Sequence, residues 1–164
     1  MMGLPVELTL RNTSDGLRLR ANPVKELAAL RDRSHVIKSQ PLKPGENPLA
    51  AVKGELLEVL TELTPGAAEE ISFNLRGVVV TFDTKKQTLS CLDKTAALPL
   101  ENGSIRLRML VDRTSVDIFG NAGQLYMPSG VVMASDNKSL EISAKGGEAQ
   151  IKAMEIFEFK SAWK

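Results

Sequence analysis

Two acidic residues, Asp112 and Asp117, lie five positions apart in the sequence VDRTSVDIFG and could be read as a catalytic carboxylate pair. Cleavage of a glycosidic bond with retention needs two carboxyl groups roughly 5 Å apart across a substrate pocket. A hairpin on the surface of a sheet offers no such pocket. Turn-stabilising and solvated roles are therefore predicted for both residues, with Arg113 as a partner.

Other reactive side chains are isolated in the sequence. His35 is the only histidine, and neither a second histidine nor a cysteine lies near it to build a metal site. A surface or core-edge position is expected for it. Cys91 is the only cysteine, so an internal disulfide is excluded. We expect it to point away from the side of Leu89 and to act as a small buried hydrophobic residue.

Sugar binding would require exposed aromatic rings, and aromatic residues make up only 4% of the chain. Four phenylalanines lie in apolar strand patterns and are predicted to fill the core: Phe73, Phe82, Phe157 and Phe159. Tyr126 and Trp163 remain as amphipathic candidates for sugar contact. Two such residues are too few to indicate a binding platform.

The elements that must position these residues are short strands separated by turn residues. In residues 105–111, Ile105, Leu107, Met109 and Val111 alternate with arginines, which is typical of a half-buried strand. The predicted strands cover residues 7–11, 17–20, 36–39, 54–63, 70–75, 78–82, 88–92, 105–111, 115–119, 124–127, 131–134, 139–144 and 149–159. This pattern predicts an all-β, two-sheet antiparallel sandwich of the jelly-roll or concanavalin-like type.

Two segments compete with the strand interpretation. Asn22-Pro23 can begin one or two helical turns, so a short helix is expected near residues 23–31. The apolar residues of segment 52–63 also have helical spacing. Gly54 lies inside that segment, however, and a glycine costs about 1 kcal/mol relative to alanine in a helix interior. A strand is therefore predicted there.

Composition narrows the function further. The chain has 164 residues, which fits one domain spanning 1–164, and it carries a formal net charge of +1. This balance disfavours a nucleic-acid or anionic-membrane partner. No apolar stretch approaches the roughly 20 residues that span a bilayer. No signal peptide is recognised before the first strand.

Three segments, taken in order, carry a resemblance to a known family. VDRTSVDIFGNAGQLYMP resembles the signature hairpin in the C-terminal β-sandwich of glycoside hydrolase family 32, the levanase, inulinase and invertase group. LPVELTLRNTSDGLRLRANPVKELAALR resembles the start of that sandwich, and NKSLEISAKGGEAQIKAMEIFEFKSAW resembles its closing strands. The resemblance covers residues 4–163. It implies a structural role for the hairpin residues Asp112, Arg113, Ser115, Asp117 and Phe119.

The catalytic motifs that this family would imply are not found in the sequence. The only tryptophan, Trp163, is at the far end, so the Trp-Met-Asn-Asp-Pro-Asn-Gly motif of the nucleophile does not occur. Arg31-Asp32 is followed by Arg33 rather than by proline, and Cys91 does not follow a glutamate. The sequence therefore predicts an accessory domain without catalytic residues. Its implied parent is a retaining fructan hydrolase without cofactor or metal.

The resemblance also implies partners. The first partner is the catalytic β-propeller of the same parent chain, which would cover an apolar face contributed by residues 4–10 and 154–163. Homodimer formation is expected second, as in some relatives, and binding of fructan by a lectin-like module is the alternative. The implied parent enzyme works outside the cytoplasm, as a secreted, periplasmic or cell-surface protein.

Overall fold

A computed structural model describes residues 4–13 and 16–161, and almost all of its regular structure is β-strand. The strands are β1 (Val6–Thr13), β2 (Gly16–Pro23), β3 (Arg31–Ile37), β4 (Gln40–Leu42), β5 (Leu57–Thr64), β6 (Glu70–Leu75), β7 (Val78–Asp83), β8 (Thr88–Cys91), β9 (Lys94–Ala97), β10 (Ile105–Val111), β11 (Ser115–Gly120), β12 (Leu125–Gly130), β13 (Leu140–Lys145) and β14 (Ala149–Phe159). One 3₁₀ helix, Lys25–Leu30, joins β2 to β3. No helix in these ranges is long and apolar enough to cross a membrane.

Two antiparallel sheets form the body of the fold. The large sheet has the order β12-β11-β10-β5-β14-β3, with β4 also paired to β14, and the small sheet has the order β13-β6-β7-β8-β9. The remaining strands, β1 and β2, form a separate two-stranded hairpin. The predicted all-β sandwich class is confirmed, and the hairpin is an addition to the two predicted sheets.

The core lies between the two sheets, because each contributes one face of alternating apolar residues. Val59 and Met109 of the large sheet belong to the same buried cluster as Phe73 and Phe82 of the small sheet. Cys91 is buried as expected. The expectation that it points away from Leu89 was wrong, since residues two apart in a strand share a face and both are buried.

The two ambiguous segments have the kinds of secondary structure that were predicted for them, a strand and a short helix. Residues 57–64 form a strand rather than a helix, because Leu57, Val59 and Leu63 all reach the core with period two. The short helix falls inside the predicted 23–31 segment. It begins after Val24 and not at Asn22-Pro23, since Pro23 is still paired with Val6 in the hairpin.

Some strand boundaries differ from the predictions. Residues 131–134 do not form a strand, because β12 ends at Gly130 and the chain continues as a loop. A side chain from another part of the chain holds this loop, since Arg76 donates a hydrogen bond to the Ala134 carbonyl at 3.2 Å. The short strands β4 and β9 were not predicted. Three or four residues with few apolar side chains leave too little periodicity to recognise.

The closing strand differs from the prediction in what it exposes. Phe157 and Phe159 are half-buried on the outward face of the large sheet rather than in the core. The guanidinium of Arg31 lies 3.8 Å from the ring centroid of Phe157, a cation–π contact. Met154 and Ile156 point into the core. Of the apolar face expected from residues 154–163, the described part contributes only Phe157 and Phe159 to the outward side, and its packing on a propeller stays a prediction.

Candidate functional site

The predicted signature hairpin is formed by β10 and β11, and a tight turn joins them. The Asp112 N–H donates to the Ser115 carbonyl at 2.9 Å, which closes the turn. The Asp112 carboxylate is exposed and accepts a hydrogen bond from the Arg113 N–H at 2.7 Å. Asp112 therefore has the turn-stabilising, solvated position that its residue type predicts.

Asp117 was expected to be solvated, and that expectation was wrong. Its residue exposure is only 4%. Its carboxylate accepts hydrogen bonds from the Tyr126 hydroxyl at 3.0 Å and from the Ser115 hydroxyl at 3.2 Å. Burial and the neighbouring Asp117 charge raise the pKa of Tyr126 to about 12. Asp112 and Asp117 thus occupy different environments and do not form an acid pair across a pocket.

Arg113 is not the partner of either hairpin aspartate through its side chain. Its Nε lies 2.7 Å from the carboxylate of Glu55, which is far away in sequence. The hydrogen bond from Arg113 lowers the pKa of the Glu55 carboxyl. Arg113 therefore connects the hairpin to the segment that precedes β5. Nothing in the sequence indicated this ion pair, because its two residues are far apart in the chain.

The aromatic residues of the hairpin region pack against each other. Phe119 and Tyr126 are directly opposite on β11 and β12, and their rings stack with centroids 4.6 Å apart and planes 12° apart. Phe119 is buried, and Tyr126 is half-buried with its hydroxyl committed to Asp117. Trp163, the other predicted sugar contact, lies outside the described residues.

A buried ion network was missed by the sequence analysis. Glu58 on β5 is 0% exposed and faces outward from the large sheet. Its two oxygens accept from Arg31 Nε at 2.7 Å and Arg108 Nε at 2.6 Å. Glu58 alternates with apolar residues like any solvated glutamate, so the strand pattern contains no signal of its burial.

His35 lies at the edge of the large sheet and Cys91 is buried in the core, which are the positions expected of them. His35 contacts the Glu158 carboxylate at 2.8 Å near the end of the large sheet. Burial raises the pKa of the Cys91 thiol, which makes it a poor nucleophile. Within residues 4–13 and 16–161, no three His, Cys, Asp or Glu side chains are grouped closely enough to hold a metal ion.

A depression of about 550 Å³ lies on the outward face of the large sheet. Its residues come from strands β3, β5, β10, β11 and β14, from the β3–β4 connection, from the end of β2 and from the β11–β12 turn. Leu60, Ala153 and Val36 are apolar members, and Arg106, Arg108, Glu62 and Glu155 are charged members. No local sequence pattern indicates this site, because most of its members are spread over five strands.

Two packed antiparallel sheets around one apolar core define a β-sandwich module. The profile described as glycosyl hydrolases family 32 C terminal matches residues 26–158. The chain belongs to this family of C-terminal domains.

The proteins that this chain resembles are longer than it, and a segment of each matches it. The levanase of Bacillus subtilis (strain 168) is 30% identical over 98% of this chain, which covers 27% of that enzyme. The levanase of Bacillus sp. (strain L7) is 27% identical over 99% of this chain and 20% of its own length. The crystal structure of exo-inulinase from Aspergillus awamori matches with a TM-score of 0.80 and 18% identity, covering 98% of this chain and 36% of that one. The chain therefore spans about a quarter of the first levanase.

Proposed function

We propose that this chain, as one accessory unit, is the non-catalytic C-terminal sandwich of a β-fructosyl hydrolase and that it supports a catalytic propeller. The parent would be a retaining enzyme that acts on levan, inulin or sucrose outside the cytoplasm. The family match and the levanase names of two relatives support this proposal. The described residues contribute packing and ion pairs, and the catalytic motifs that the family resemblance would imply do not occur in the sequence.

The observation that carries the supporting role is an exposed leucine face on the β1–β2 hairpin. Leu10 and Leu19 are directly opposite in the register, and Leu8 and Leu17 continue the same face. These four side chains are between 59% and 63% exposed. Four leucines on one side of a two-stranded ribbon form an apolar patch that indicates a binding partner.

The hairpin is held to the sandwich at its base. The Ala21 N–H donates to the Gly123 carbonyl at 3.0 Å, and Arg20 donates to the Asn121 carbonyl at 2.7 Å. Gly123 has a φ of +86°, and a Cβ on it would lie 2.4 Å from the Ala21 carbonyl oxygen. A close backbone contact therefore fixes where the leucine face projects from the sandwich.

The position of the hairpin in the chain indicates what covers it. The hairpin ends at Pro23, whereas the family match begins at residue 26. This chain matches 27% of the Bacillus subtilis levanase, so the remaining 73% of that enzyme lies outside the matched segment. We infer that the leucine face packs on the catalytic domain, which makes the hairpin the connection between the two.

A chimera tests this proposal. The segment of the Bacillus subtilis levanase that matches this chain is replaced by the 164 residues, and the thermal half-life of fructose release from levan is measured. We expect Leu10→Glu with Leu19→Glu to shorten the half-life strongly. Val132→Glu, at another exposed apolar residue, is the matched control and should leave it unchanged.

Two results would contradict the proposal. If the Leu10→Glu, Leu19→Glu chimera had the same thermal half-life as the unsubstituted chimera, the leucine face would not stabilise the catalytic domain. Fructose release by the isolated 164-residue chain would show that catalytic residues had been overlooked. Homodimer formation and fructan contact by Tyr126 and Trp163 stay predictions, which sedimentation and binding measurements on the isolated chain can test.

A further inference from the structure

The depression on the large sheet has the size and the lining of a small-molecule site. Its volume of about 550 Å³ lies within the usual range for ligand pockets, roughly 300–1,000 Å³. Such sites combine an apolar surface with a few well-placed polar groups. Here Leu60, Ala153 and Val36 supply the apolar surface, and charged side chains stand on both sides of it.

The strand register shows how these groups are arranged. Phe119, Arg108, Leu60, Glu155 and Val36 are consecutive cross-strand partners on β11, β10, β5, β14 and β3. Since neighbouring strands are about 4.8 Å apart, this row is about 19 Å long. The row places a hydrogen-bond donor, Arg108, and an acceptor, Glu155, on opposite sides of Leu60.

The donor is held in place before any ligand arrives. Arg108 Nε is bonded to Glu58, which is fully buried and is held from the other side by Arg31. Among the described residues, the terminal nitrogens of Arg108 have no hydrogen-bond partner. A guanidinium anchored through Nε can offer these nitrogens to a ligand with little further loss of side-chain entropy.

The acceptor on the other side is also available. Within the described ranges, the Glu155 side chain has no hydrogen bond or ion pair. In the next row, Arg106 is paired with Glu101 at 2.5 Å, and Glu62 lies 3.6 Å from Lys152. The depression therefore offers the terminal nitrogens of Arg108 as donors and the carboxylate of Glu155 as an acceptor, whereas Arg106 and Glu62 are already paired.

The charges identify the chemical class of the ligand. The cations of the lining are Lys38, Arg106, Arg108 and Lys152. Glu62 and Glu155 lie beside them in the lining, and Glu58 and Glu101 bind the two arginines from behind, with Glu58 also paired to Arg31. Charges of both signs therefore surround the depression, which favours a ligand that carries hydrogen-bond donors and acceptors together over one that carries a single charge.

We propose that this depression binds a short neutral oligosaccharide. Each sugar hydroxyl can both donate and accept, which matches arginine donors that face glutamate acceptors. The C–H face of a sugar ring can cover Leu60 and Val36. This binding role is separate from the supporting role, because it uses the outward face of the large sheet and not the leucines of the hairpin.

The test is a titration of the ¹⁵N-labelled 164-residue chain, followed by amide chemical shifts. The probes are levan and inulin oligosaccharides, with maltotriose as an unrelated neutral sugar and citrate as an anion. We expect saturable shifts confined to residues 36–38, 60–62, 106–108 and 152–155. Glu155→Ala should weaken binding about ten-fold, which corresponds to about 1.4 kcal/mol.

The matched control is Glu141→Ala, which removes an exposed glutamate from β13 in the other sheet and should leave the affinity unchanged. Saturable binding of any neutral oligosaccharide at this site supports the proposal, and the levan, inulin and maltotriose arms rank the sugars. No shifts with any neutral sugar, shifts confined to other residues, tighter binding of citrate, or an unchanged affinity in Glu155→Ala would each overturn it. Because the chimera reports on the leucine face alone, failure of one proposal is distinguishable from failure of the other.

Discussion

Replacing Glu58 with glutamine should destabilise the domain far more than any other glutamate-to-glutamine change on the same strand face. Glu58 is the only carboxylate within hydrogen-bond distance of Arg31 and Arg108 among the described residues. The glutamine has nearly the same size, but it is neutral and keeps one acceptor oxygen in place of two. Arg31 and Arg108 would then lie close together without the negative charge of Glu58 to offset their repulsion.

The magnitude follows from burial. A hydrogen bond to a charged group contributes about 1.5–3 kcal/mol, and Glu58 accepts two. Removing one partner of a buried ion pair costs about 3–5 kcal/mol. The side chains of Arg31 and Arg108 are 29% and 26% exposed, so water recovers part of this loss. We expect a loss of about 3 kcal/mol, which lowers the Tm by about 6–12 °C in a chain of this length.

Urea unfolding and thermal unfolding of the isolated chain measure this loss. The control is Glu62→Gln, four residues further along β5 on the same outward face. Glu62 is 39% exposed and lies 3.6 Å from Lys152, so its loss should cost less than about 1 kcal/mol. Salt should reduce the small effect at Glu62 more than the effect at Glu58. A loss at Glu58 no larger than that at Glu62 would refute the reasoning.

Three further predictions concern other buried polar groups. In the folded chain Tyr126, the only tyrosine, should titrate near pH 12 by ultraviolet absorbance, with Asp117→Asn lowering that midpoint. Because folding raises the pKa of Tyr126, the contribution of this residue to stability is complete below its unfolded pKa of about 10 and is lost as pH rises through its folded pKa. A titration midpoint of Tyr126 near 10 in the folded chain would contradict its burial. Arg76→Met should cost about 3–5 kcal/mol in urea unfolding, because it strips donors from three backbone carbonyls, and a neutral result would show that water replaces them. Cys91 should react with a thiol reagent only as fast as the chain unfolds, and immediate labelling of the native protein would argue against its burial.

Local periodicity made most of the strands predictable. In β6, β10 and β14 the predicted bounds agree with the structure, although a register shift between Ile151 and Ala153 interrupts the alternation in β14. The turn at Asp112 was also predictable, because its hydrogen bonds are made within four residues. Periodicity failed where segments are short or held by distant groups, as in β4, β9 and the loop at residues 131–134.

The candidate sites depend on contacts that no local pattern contains. The Glu58 partners lie 27 and 50 positions away, and the depression is assembled from five strands. Asp117 shows the same limit, since its burial depends on Tyr126 in the next strand.

The sequence by itself determined the strands, the main turns and the family resemblance, because each is recorded in residues close together along the chain. Only the tertiary structure decided which charged residues are buried, which leucines are exposed and where a ligand could bind. The physical reason is that strand pairing brings distant side chains onto one face, and the environment of a side chain depends on its neighbours across the sheet.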